Sequence, residues 1–155
     1  MTTASGPTDE GVVVPGGVVR VAASLLIYSD VLAPEEITLR LDLQPTETTE
    51  KGVKYGKQTG TRMNVPRHLW QLSSETHVAA MDLTSHLDWL LARLFPIRER
   101  LRTLRESGAI DFHLRGVVWT SNDAAHVQLP IRVMEMLVEL QLEPELQFAD
   151  YGDDS

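Results

Sequence analysis

"DLTSHLDWLLARLFPIRERLRTLRESG", residues 82–108, decides how the rest of the chain must be read. Leu83, Leu87, Leu90, Leu94, Ile97, Leu101 and Leu104 recur at intervals of four, three, four, three, four and three. Such a stripe covers one side of an α-helix and needs an apolar surface to bury it. Asp82 supplies an N-cap oxygen and Gly108 a residue suited to a left-handed stop. Pro96 falls inside, where it normally costs a helix about 3 kcal/mol. The stripe keeps its phase across Pro96, which predicts one kinked helix rather than two separate ones. It spans little more than three heptads and contains a proline, so it reads as core packing and not as a coiled coil.

The surface to receive it comes from alternating segments on either side. Upstream, Val19, Val21, Ala23, Leu25 and Ile27 share one face of a strand, with Arg20, Ser24 and Tyr28 on the other. Pro34, Glu35 and Glu36 then open a short helix with Ile37 and Leu41, and Leu39 as a third candidate, on its buried side. Pro45 stops it. Residues 46–66 read as a long polar loop or a ragged hairpin between Val53 and Val65. In "RHLWQLSS" His68, Trp70 and Leu72 share a strand face.

Downstream, "AIDFHLRGVVWTS" places Ile110, Phe112 and Leu114 on one side. Asp111, His113 and Arg115 take the other, with Gly116 read as a bulge. A short strand is expected at His126–Leu129, then a helix behind Pro130 carrying Ile131, Met134, Leu137 and Val138, then a last strand with Leu146 and Phe148. One-sided alternation mixed with helices predicts an α+β two-layer sandwich. Its mainly antiparallel sheet is packed by the long kinked helix and two shorter ones, close to a ferredoxin-like βαββαβ with an extra helix and strand. The expected organisation is a flexible arm over residues 1–16, one domain over 17–151 and a frayed acidic tail over 152–155.

Composition narrows the partners. With 155 residues the chain can bury a core without covalent staples, and the absence of cysteine excludes disulfides, thiolate metal sites and a cysteine nucleophile. A net charge of −8 opposes nucleic-acid binding and favours encounter with a basic partner. The first residues lack a signal-peptide pattern, and no apolar run approaches the roughly 20 residues of a membrane span. A cytoplasmic protein, monomer or homodimer, is expected.

The order of "DVLAPEEITLRLDLQPT", "EKG", "WQLSS", "HLDWLLARLFP" and a final "ADY" resembles a bacterial family, domain of unknown function 4279. The resemblance covers about Val18 to Tyr151. It implies a small α+β protein without established activity or agreed catalytic residues, and in some members an association with immunity to secreted toxins. The tail "FADYGDDS" departs from the longer apolar strand of that family.

Chemistry is sparse. "EKGVKYGKQTGTR", residues 50–62, is the one basic, glycine-rich stretch. It fails as a Walker loop, because "GVKYGK" has three residues between its glycines, Gln58 replaces the hydroxyl residue and no helix follows. Turn positions are one reading of Gly52, Gly56 and Gly60. A basic recognition loop of Lys51, Lys54, Lys57, Arg62 and Arg67 around Tyr55 is the other. Asp111 and His113 share a strand face and provide two metal ligands where a catalytic zinc needs three. Arg115 and Trp119 lie on that same face, where an exposed aromatic beside charges makes a binding hot spot. His86 is read as exposed in the first turn of the long helix, and no serine sits in a nucleophile elbow. No cofactor and no metal are expected. These residues predict a non-enzymatic protein-binding module, with an immunity-type protein for a basic toxin as its concrete form. The alternative is a small-molecule-binding or metal-dependent hydrolytic enzyme using Asp111 and His113.

Overall fold

The computed structural model describes residues 18–56, 60–120 and 126–150. Strand β1 (Val18–Ser29) is the middle of a five-stranded sheet. Helix α1 (Pro34–Leu41) follows, then edge strand β2 (Glu47–Thr49), the hairpin β3 (Gly52–Tyr55) and β4 (Arg62–Val65), and β5 (His68–Ser73). Helices α2 (Leu83–Leu94) and α3 (Arg98–Glu106) lead to β6 (Ile110–Thr120), α4 (Ile131–Leu140) and β7 (Pro144–Asp150). The sheet order is β2-β5-β1-β6-β7, and β3–β4 form a separate two-stranded sheet. The β2–β5, β5–β1 and β1–β6 pairs are antiparallel; β6–β7 is parallel, with α4 as its crossover. The result is an α+β domain with a mixed sheet, a hairpin and three helices.

The long helix lies where its leucines demand. Leu83, Leu87, Leu90, Leu94, Leu101 and Leu104 are buried in one cluster with Val21, Ala23, Leu25 and Ile27 of β1 and with Trp70 of β5. α2 and α3 are joined without a break by a 3₁₀ turn over Phe95–Ile97, which accommodates Pro96. Pro96 stands in the first positions of that turn, where a helical residue's amide needs no intrahelical acceptor. Asp82 caps α2, its Oδ2 accepting from Ser85 N at 2.9 Å, and Gly108 takes φ +79° behind α3. Trp70, fully buried, donates from Nε1 to Thr38 Oγ1 at 3.0 Å and so fastens α1 to the same layer.

Several expectations need correction. Leu39 is 74% exposed, and only Ile37 and Leu41 of α1 enter the core with Pro34. α4 is rotated from the predicted phase: Val133, Leu137 and Leu140 face inward, while Ile131, Met134 and Val138 stay exposed. That rotation lets Arg132 form a two-pronged bond to Asp88 of α2, at 2.6 and 3.0 Å. Residues 126–130 contain no strand. The irregularity assigned to Gly116 sits elsewhere, between Val18 and Arg20, where the β1–β6 register shifts and Val19 turns outward.

Gly116 pairs in unbroken register with Ala23 and Leu146. Its missing side chain makes room instead, since a Cβ there would stand 3.1 Å from methyls of both Leu83 and Leu146. No described helix is long and apolar enough to cross a membrane. We predict that Gly116→Val, which forces apart α2 and β7, lowers stability by about 1–3 kcal/mol in denaturant unfolding, as overpacking does elsewhere. An unchanged midpoint would show that the close approach carries no weight.

Candidate functional site

The sheet face turned away from the helices has a floor and a canopy. Ala22, Ser24 and Leu26 of β1 form the floor and are buried despite facing away from the core. The side chains that cover them come from the strands alongside. Arg20 lies over the ring of its cross-strand neighbour Trp119, 4.0 Å from the centroid, and also pairs with Glu75 at 2.9 Å. Arg115 pairs with Glu145 at 3.3 Å. His113 meets Tyr28 edge to face, with ring centroids 5.6 Å apart. Asp111, His113, Arg115 and Trp119 therefore share a face, as alternation in β6 required, but each is already engaged by a neighbour.

Asp111 is the most firmly engaged. Arg67 donates from Nη1 to Asp111 Oδ2 at 2.7 Å, and its Nε lies 3.4 Å from Asp30 Oδ1, close enough for ion pairing but without hydrogen-bond alignment. The Asp111 carboxylate, with Asp30 behind it, raises the Arg67 guanidinium above its ordinary pKa. Among the described residues no three His, Cys, Asp or Glu converge as metal ligands. A carboxylate held by arginine is also a poor ligand, because the cation competes for the same lone pairs.

The basic stretch is a hairpin rather than an open loop. Val53 pairs with Asn64, Lys54 with Met63, and Tyr55 with Arg62. Gly52 (φ +128°) and Gly60 (φ +67°) take up backbone conformations that side chains resist. Tyr55 is 65% exposed beside exposed Arg62, Lys54 is half-buried and Lys51 is exposed. Lys57 lies outside the described residues. Asp111, His113, Arg115 and Trp119 take their contacts from Arg67, Tyr28, Glu145 and Arg20, which lie outside the hairpin strands. At the base of the hairpin Lys51 N donates to His68 Nδ1 at 3.0 Å, and just beyond it Arg67 reaches Asp111.

The feature that sequence reasoning passed over is a cleft of about 1020 Å³ at the start of β6. β7 begins at Pro144, opposite Leu114, so the outer edge of Ile110–His113 has no strand partner among the described residues. Phe112, Leu137, Val138 and Leu142 supply apolar walls, and the rim carries Glu143 together with Asp111 and Glu145, which are ion-paired to Arg67 and Arg115. Arg105 builds the back of the cleft. Its guanidinium sits 4.8 Å from the Phe112 ring centre and donates to the Gln141 carbonyl at 3.1 Å and to Gln141 Oε1 at 3.2 Å. Cations at a helix C-terminus satisfy carbonyls that the helix leaves open. Burial pulls the Arg105 pKa below its usual value. Gln141 itself ends α4 in the left-handed region (φ +58°), and Leu142 N returns to Leu137 O at 2.9 Å, which folds the α4–β7 turn against the cleft.

The family model described as "Domain of unknown function (DUF4279)" matches residues 19–151. The chain belongs to the DUF4279 family. The match takes in every strand of the sheet, the hairpin and the cleft. Neither curated proteins nor solved structures yield a match.

Inside this DUF4279 domain lies a polar pair that the sequence reading missed. His86, expected to be exposed, is 1% exposed, and Ser74 is fully buried. His86 Nε2 lies 2.7 Å from the Ala80 carbonyl, which only accepts, so Nε2 carries the proton. Nδ1 then accepts from the Ser74 hydroxyl at 2.6 Å, and Ser74 Oγ accepts from Ala23 N at 2.9 Å. Every donor in the chain of bonds is satisfied. The arrangement ties β1, the end of β5 and α2 together, and no carboxylate backs the imidazole. The signal was present: His86 stands three after Leu83 and four before Leu90, in phase with the buried stripe. We predict that Ser74→Ala costs about 1–3 kcal/mol, the penalty of a buried donor left unpaired. His86→Leu should cost a similar amount, and the double variant less than the sum in urea unfolding. Additive losses would dissolve the coupling.

Proposed function

We propose that this domain is a non-enzymatic protein-binding module that takes an extended segment of its partner as an added strand along Ile110–His113. The observation that carries this reading is the outer edge of those residues, without a strand partner among the described residues and lining a cleft of about 1020 Å³. Main-chain hydrogen bonds to a free edge give affinity to any extended peptide, and side-chain pockets beside it give selectivity. Here the pockets are apolar at Leu137 and Leu142 and acidic at Glu143, so the segment that fits carries apolar side chains and a basic one to meet Glu143. The overall charge of −8 steers such a partner inward. In its narrower form the partner is a basic secreted toxin and the domain its immunity protein, a form that the identity of the adjacent genes decides.

The sheet supports a ferredoxin-like reading of the scaffold. β6-β1-β5-β2 run mutually antiparallel, α1 connects β1 to β2 around β5, and α2–α3 connect β5 to β6 around β1, with α4 and β7 added outside. The added pair forms one wall of the cleft.

A display library of short random peptides tests the reading. Enriched sequences should be basic and extended, should shift the amide resonances of Ile110–His113, and should lose affinity as salt rises. Glu143→Lys, an exposed change on the rim, should weaken them about tenfold. Peptides that instead shift the hairpin at Val53–Val65, or that bind indifferently to Glu143→Lys, would overturn the proposal.

A further inference from the structure

The two edges of the sheet differ. β2 is three residues long and begins with Glu47, the kind of short, charged edge that resists further pairing. β7 is seven residues long, and among the described residues its outer edge has no partner. On the helix side it leaves Leu146 38% and Phe148 52% exposed. Beside it, Ile131, Met134 and Val138 form a stripe along α4 at spacings of three and four. Arg132 and half-buried Met136 mark the flank of α4 that meets α2, through the Arg132–Asp88 pair. The exposed stripe lies away from that flank, and its Val138 lies beside Pro144 and Glu145 at the start of β7.

We infer that this edge is the interface with a second copy of the chain, formed by antiparallel β7–β7 pairing about a two-fold axis at Gln147. The occupant follows from the sequence of the strand, "PELQFAD", which is self-complementary about its centre. In that register Leu146 of one copy faces Phe148 of the other, Glu145 faces Ala149, Pro144 faces Asp150, and Gln147 faces itself. No carboxylate is placed opposite another, and Leu146 and Phe148, on the same sheet face, meet each other. A two-fold axis there also turns the α4 stripes toward each other, so one symmetry operation covers all five exposed apolar residues. The interface borders the peptide cleft at Val138, Pro144 and Glu145, and exposed Ile131 and Phe148, outside the cleft lining, tell the two apart. Because each chain carries −8, screening by salt strengthens the dimer, opposite in sign to the behaviour expected of the cleft.

The absence of cysteine makes the register directly testable. Facing residues of an antiparallel pair have Cα atoms about 4.5–5.5 Å apart, within disulfide reach. Gln147→Cys, treated with a mild oxidant, should give a covalent dimer in high yield, whereas Glu145→Cys and Phe148→Cys should not. Sedimentation should show the native chain associating with concentration, and Phe148→Glu or Ile131→Glu weakening that association about tenfold or more without changing the thermal melt. A chain that stays monomeric at its solubility limit overturns the inference, as does a dimer indifferent to Phe148→Glu. Equal cross-linking at positions 145, 147 and 148 overturns the register.

Discussion

Packing of the leucine stripe of α2–α3 on the inner face of β1 is the contact from which the other features follow. β1 has strands on both sides and helices above it, so its odd-numbered residues Val21, Ala23, Leu25 and Ile27 are sealed in the core. Each neighbour is then placed by its own need for burial. Trp70 brings β5 and α1, Leu114 and Val118 bring β6, and Gly116 lets Leu83 and Leu146 approach across the sheet. The Ser74–His86–Ala23 hydrogen bonds add direction to this apolar contact, since leucines alone would tolerate a sliding helix.

Much of this could be read in advance because burial has a period. The stripe of seven apolar residues, the Asp82 cap, the Gly108 stop and the alternation of β6 each report a local geometry that tertiary contacts did not override. The failures have equally physical causes. α4 carries apolar residues on more than half its circumference, so its phase was decided by which of them, Val133, Leu137 and Leu140, the core could receive, with Arg132 then reaching Asp88, 44 residues away. His86 was misjudged by residue type, although its position in the stripe pointed inward. Val19 was displaced by a register shift that no alternation pattern announces.

The candidate site was less legible for a related reason. Side-chain type directed attention to the basic hairpin and to Asp111 with His113. Asp111 proved to be held in an ion pair and His113 in a ring contact across the sheet face, while Tyr55 and Arg62 of the hairpin stand exposed. The cleft owes its existence to backbone topology instead: β7 enters the sheet four residues after β6 has begun, opposite Leu114. An unpaired strand edge has no signature in residue identity. It appears only when the partner strand is known to start late.

The functional account therefore rests on β6 being two strands in one, half-edged from Ile110 to His113 and doubly paired from Leu114 onward. Amide hydrogen exchange of the free protein measures this directly. The account predicts rapid exchange at outward-facing amides within Ile110–His113, beside strong protection through Leu114–Val118. Uniform protection along the whole of β6 would mean that the edge is already covered, and would contradict the proposed docking strand.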